Sequence, residues 1–132
     1  MTLTDARAAA AALASVTTIR DERLWQNAEK VGAAMVAELR RMQERHPFIG
    51  DVRGLGLFIG VELVKDRKTK EPNGEFVSAL IEGSIQRGVI PVSCGPFHSV
   101  LRHLLPLVIT DEQLDEGLDV MAEAAKAARS GS

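Results

Sequence analysis

Apolar residues recur along this chain in two rhythms that alternate. Residues 4–19 are rich in alanine and read as a helix, with Thr4 or Asp5 as its cap. Residues 21–45 carry the clearest pattern. Leu24, Ala28, Val31, Met35, Leu39 and Met42 return at three- and four-residue spacing and form one apolar helix face. Asp21 is placed to cap this helix, and His46-Pro47 ends it. Residues 49–56 read as a glycine-punctuated loop, followed by a strongly apolar strand over 57–64. That strand alternates poorly, which predicts cover on both faces.

Pro72-Asn73-Gly74 signals a turn, and Phe76, Leu80, Ile81 and Ile85 mark a helix over about 75–87, with Gly88 suited to a left-handed C-cap. Residues 89–93 and 100–105 read as strands separated by the Cys94-Gly95-Pro96 turn. Pro106 interrupts the second of them. A last helix runs from Asp111 to about Arg129, capped by Thr110 or Asp111. The predicted order is α-α-β-α-β-β-α. It implies an α+β fold, a small and largely antiparallel sheet with helices on one face. The expected organisation is an alanine-rich helix over 1–20, one domain over 21–129 and a disordered tail over 130–132.

Composition narrows the function classes. A chain of 132 residues has room for one domain with a core. The formal net charge of -2 gives no electrostatic reason for nucleic acid or an anionic membrane as partner, and four Phe, one Trp and no Tyr offer few stacking platforms. The one cysteine excludes an internal disulfide and fits a reducing compartment, so a cytoplasmic protein is expected.

Candidate chemistry is sparse. The Gly50–Gly56 stretch opens a strand rather than a helix and has no phosphate-binding lysine, so its glycines serve backbone geometry rather than a nucleotide. His46, His98 and His103 lack metal-ligand spacing. Cys94 reads as a small buried thiol more readily than as a nucleophile. Glu62, inside an apolar strand, either pairs with a base, faces an interface or sits at a solvated edge. Arg102 stands inside the apolar run 100–109, which reads as buried. An unpaired buried charge costs several kcal/mol. Arg102 is therefore either a member of a structural ion pair or an anion-binding residue, and Arg53 is a second, lesser candidate. The planar guanidinium fork suits a carboxylate.

The stretch Ile49-Gly50-Asp51-Val52-Arg53-Gly54-Leu55-Gly56-Leu57-Phe58-Ile59-Gly60-Val61-Glu62-Leu63 resembles the segment that opens the small domain's sheet in class III aminotransferases, which depend on pyridoxal phosphate. The stretch from Ser99 to Leu114 resembles the end of that domain, an arginine strand running into Pro106-Leu107-Val108-Ile109-Thr110-Asp111. Cys94-Gly95 ahead of the arginine strand is most similar to 4-aminobutyrate aminotransferases. The resemblance implies the C-terminal small domain of a fold-type I aminotransferase, homodimeric in the family. It also implies that Arg102 grips a substrate carboxylate.

It equally implies that the Schiff-base lysine and the phosphate-binding loops lie outside the matched region. The lysines present are Lys30, Lys65, Lys68, Lys70 and Lys126, all on helices or in polar loops. No catalytic residue, no metal and no cofactor binding by this chain alone are therefore expected. His98-Ser99 replaces a Gly-Asn pair, and Leu105 replaces a first proline, both common in the family. The chain reads as a fragment, by truncation or by design, inactive alone. Completed by a large domain, it would take an amino acid and a 2-oxo acid. The alternative reading is a stand-alone oligomerisation or interaction module that keeps the fold without catalysis.

Overall fold

The computed structural model describes residues 5–130. Helix α1 (Ala6–Asp21) starts at Asp5, whose carboxylate accepts from the backbone N–H groups of Arg7 and Ala8 at 3.0 and 3.4 Å. The alternative cap, Thr4, lies outside the described residues. No residue of α1 is buried. Helix α2 (Leu24–Arg45) follows after a break at Arg23, which adopts a left-handed φ of 50°. Asp21 does not cap α2, as the pattern suggested. It closes α1 instead and accepts from Arg20 Nε at 2.7 Å. Asp-Glu-Arg-Leu contains no strong helix breaker, so α1 runs on until a single residue leaves the helical basin.

The strands are β1 (Ile49–Leu55), β2 (Phe58–Leu63), β3 (Val92–Cys94) and β4 (Val100–Leu104). They form one antiparallel sheet in the order β1-β2-β4-β3. Helices α3 (Gly74–Ile85) and α4 (Asp111–Ser130) complete the chain. The α+β class is as expected. The expected succession holds, with one strand more: residues 49–55, expected as a loop, form β1. Between Ile49 and Asp51 the register shifts. This bulge at Gly50 puts Ile49 and Val52 on the same face and breaks the period of two that announces a strand. The β1–β2 hairpin turns at Gly56, with φ of 56°. A Cβ at Gly32 of α2 would collide with the Gly56 carbonyl, so two glycines let helix and hairpin touch backbone to backbone.

All the buried sheet positions lie on one face: Ile49, Val52, Ile59, Val61, Leu63, Leu101 and His103. Val31, Met35 and Leu39 of α2, Val77 and Leu80 of α3 and Leu114 of α4 pack there. Gly83 of α3 meets Ala124 of α4, which brings these helices close. Strand β2 alternates between buried residues and exposed or half-buried ones, so the expected cover on both faces is absent from the described chain. The third strand begins at Val92 rather than at residue 89, because buried Pro91 has no N–H to donate to the ladder. Gly88 takes the expected left-handed φ of 92°.

Beyond β4, Asn27 Nδ2 donates to the Leu107 and Ile109 carbonyls at 2.8 and 3.1 Å and ties residues 105–109 to α2. Thr110 Oγ1 then accepts from the Gln113 N–H at 3.2 Å, and Gln113 Oε1 accepts from the Thr110 N–H at 3.1 Å. This reciprocal pair starts α4. Ser130 is the last residue of α4, and the rest of the expected tail lies outside the described residues.

Candidate functional site: the open face of the sheet

The face of the sheet turned away from the helices is organised in three rows fixed by register. One row is apolar: Leu55, Phe58 and Leu104. The next runs Arg53, Gly60, Arg102 and Val92. The third runs Asp51, Glu62, Val100 and Cys94. Both arginines singled out by sequence therefore stand in a single row, separated by one residue that has no side chain.

Arg102 is exposed, not buried as the apolar run suggested. Its neighbours Leu101 and His103 take the core side, and Val100, Arg102 and Leu104 take the open side. The side chain of Arg102 forms no hydrogen bond or ion pair among the described residues. Of the two roles open to it, the structural ion pair finds no partner here.

Arg53 is engaged. Its Nη1 donates to Asp51 Oδ2 at 2.6 Å and to Glu62 Oε2 at 3.1 Å. The hydrogen bonds to Asp51 and then Glu62 raise the guanidinium pKa further above its ordinary value, so its charge is fixed. Glu62 thus pairs with a base, on a central strand and not at a solvated edge. The acids that hold Arg53 were not grouped with it by sequence reasoning. The signal was available in the parity of 51 and 53 against 60 and 62, once a hairpin is placed at Gly56.

The histidines are scattered. His46 stacks near Phe48 at 5.2 Å between ring centroids, His98 is exposed with a left-handed φ of 49°, and His103 is buried. Among the described residues no group of three or more His, Cys, Asp or Glu is placed to hold a metal ion. Burial pushes the His103 imidazole down to about 4, and its Nε2 has no hydrogen-bond partner among the described residues. It borders an apolar cavity of about 120 Å³ shared with Leu39, Met42, Val61, Leu101 and Met121. Cys94 is half-buried at the end of the third row. No described helix is long and apolar enough to cross a membrane.

This arrangement offers a guanidinium fork, unpaired among the described residues, on a strand paired on both sides, and such a fork is suited to a carboxylate. Residues 3–125 match the family described as aminotransferase class-III. The chain is 40% identical over 116 residues to a 5-aminovalerate aminotransferase of Pseudomonas aeruginosa, covering 88% of this chain and 27% of that protein. It is 37% identical to the 4-aminobutyrate aminotransferase of Escherichia coli, with the same two coverages of 88% and 27%. Among solved structures, a transaminase from the marine bacterium Virgibacillus superposes with a TM-score of 0.83 at 31% identity, covering 94% of this chain and 29% of that one. The chain thus spans about a quarter of the length of the curated relatives it matches. With a family match over nearly all of its residues, the chain belongs to the class III aminotransferases.

Proposed function

We propose that this chain is the small-domain portion of an aminotransferase for 4-aminobutyrate, 5-aminovalerate or a related ω-amino acid, with 2-oxoglutarate as acceptor. Its contribution is to bind and orient a carboxylate through Arg102. The single observation that carries this is the Arg102 guanidinium, exposed on the open face and unpaired among the described residues, beside side-chain-free Gly60. A strand held on both sides by ladder hydrogen bonds fixes the face from which the Arg102 side chain projects. A carboxylate docked on it leaves the far amino end of an ω-amino acid at a defined distance, which is the positional part of catalysis.

The family depends on pyridoxal phosphate, which supplies the electron sink for amino-group transfer when bound. The described residues do not fit its carbonyl. Lys30, Lys65 and Lys126 are paired with Asp111, Glu71 and Glu123 at 3.5, 2.9 and 2.7 Å, and Lys68 and Lys70 are exposed in a polar loop. Their carboxylate partners raise the pKa of Lys65 and of Lys126, the reverse of what a nucleophilic amine needs. The covalent chemistry therefore falls to a large domain, and the chain on its own is expected to be inactive. Incubation with pyridoxal phosphate, 4-aminobutyrate and 2-oxoglutarate should yield no glutamate, and glutamate formation would overturn that expectation.

The carboxylate role is tested directly by following the Arg102 Nε–H resonance. 4-Aminobutyrate and butyrate should shift it and 1-aminobutane should not, and Arg102→Gln should remove the response. Equal shifts with the amine, or none with either acid, would remove Arg102 as the anchor. In this reading Arg53, already committed to two acids, acts on substrate indirectly.

A second reading, self-association, is supported by α1. It buries no residue and exposes Leu13 and Val16, an arrangement suited to a homo-oligomer. Light scattering decides it: a monomer across the concentration range would count against this reading.

A further inference from the structure

Glu62 lies on β2, the strand between those that carry Arg53 and Arg102. Across β2, Gly60 faces Arg53 on β1 and Arg102 on β4, and Glu62 is two residues further along the same face. It is thus a diagonal neighbour of both arginines, at a spacing that long side chains bridge. It is nevertheless joined to one of them: Arg53 takes Glu62 at 3.1 Å and Asp51 at 2.6 Å, and Arg102 takes neither. We propose that Arg53 is a positioning residue, which holds the Glu62 and Asp51 carboxylates on the β1 side of the open face and so keeps Arg102 free for an incoming carboxylate. The proposal rests on the reading of Arg102 as an anchor.

The physical argument is competition. An internal carboxylate tethered within reach of Arg102 has a high effective concentration and would occupy the fork before any dissolved acid. Removing both acids would abolish the competition, but Arg53 achieves the same end by engaging them. Gly60 completes the arrangement. The nearest atoms to a Cβ built there would be Val100 Cγ1 at 3.5 Å, Arg53 Cγ at 3.9 Å and the Arg53 carbonyl at 4.0 Å, and as a glycine it puts no side chain of its own between the two arginines in their row.

Labelling of the 132-residue chain by phenylglyoxal, read peptide by peptide by mass spectrometry, tests this, with exposed Arg7 of α1 as internal reference. Arg53→Gln releases Glu62 toward Arg102 and should slow labelling of Arg102 relative to Arg7 by roughly two- to fivefold, the range of an exposed ion pair. The double variant Arg53→Gln with Glu62→Gln should restore the original rate, which a merely structural loss would not do. An unchanged rate in a folded Arg53→Gln variant, or a double variant that stays slow, overturns the proposal. Should Arg53→Gln fail to fold, Glu62→Gln alone decides. Glu62 is already committed to Arg53, so the rate at Arg102 should not change, and an acceleration would mean that Glu62 shields Arg102 already. Added butyrate separates the two readings: labelling that Arg53→Gln slows but butyrate never slows supports the role of Arg53 and removes the anchor.

Discussion

The two faces of the sheet are built from the same strands and follow opposite rules. On the helix side, alternate residues are sealed: Met35, Ile59 and Val31 each keep only 1% of their surface exposed. On the other side, Leu55, Phe58 and Leu104 remain 87%, 58% and 69% exposed, next to two arginines and two acids. Strand β4 shows the contrast within two consecutive residues, with Arg102 in the open and His103 sealed. A charge is free to serve a ligand only on the side where burial does not force it to find an internal partner. Packing energy is therefore concentrated on one face and exposed charge on the other.

The largest effect should come from a truncation that tests this division. Met35→Ala and Ile59→Ala remove well-packed side chains and should each cost about 2–5 kcal/mol in urea unfolding. Leu55→Ala and Phe58→Ala, on the hairpin that carries Ile59 but on its open face, should stay within about 0.5 kcal/mol. Comparable losses on the two faces would break the comparison.

Next in size is the buried imidazole. His103 is held neutral in the fold with its pKa lowered from 6.5 to about 4 by desolvation, while the unfolded chain protonates near the ordinary value. Between those values the unfolded state binds more protons, so stability is fully present above pH 6.5 and is lost as pH falls toward 4. The loss should approach about 3 kcal/mol, on the scale of 1.36 kcal/mol per pH unit. His103→Leu should flatten this part of the stability profile. A slope that persists in the variant would assign it to other groups.

A smaller effect tests how the two faces are joined. Gly32→Ala improves helix propensity by about 1 kcal/mol but drives a methyl into the Gly56 carbonyl at the hairpin turn. The collision is with backbone, which cannot rotate away, so a net loss of about 1–2 kcal/mol is expected by thermal or urea unfolding. A stabilised variant would mean that the hairpin tilts freely on α2.

Much of this division was legible in the chain itself. The spacing of Ala28, Val31, Met35 and Leu39 locates α2 and its buried face, and Gly88 marks the end of α3. What misled was glycine and parity. Gly50, Gly54 and Gly56 disguised β1 as a loop, because the bulge shifts the alternation and glycines carry no hydropathy signal. Phe58 and Leu104 made β2 and β4 look buried on both sides, so Arg102 read as a buried charge. Apolar residues on an open face erase the period of two. Arg102 was singled out as a charge in a buried run, and the structure places it on the exposed face instead. That Arg53 and Arg102 share one row follows from the strand register and not from their spacing in the chain.

The smallest expected stability change sits where the functional change is proposed. Arg53 and Asp51 are about half exposed, with side-chain exposures of 54% and 52%, and Glu62 keeps 35%. Solvent screens such pairs, so Arg53→Gln should change unfolding free energy by less than about 1 kcal/mol. If the triad served the fold, its loss would register in stability and leave Arg102 reactivity untouched. If it serves Arg102, stability should barely move while labelling of Arg102 slows. Measuring both in the same variant separates a structural ion pair from one that clears space for a ligand.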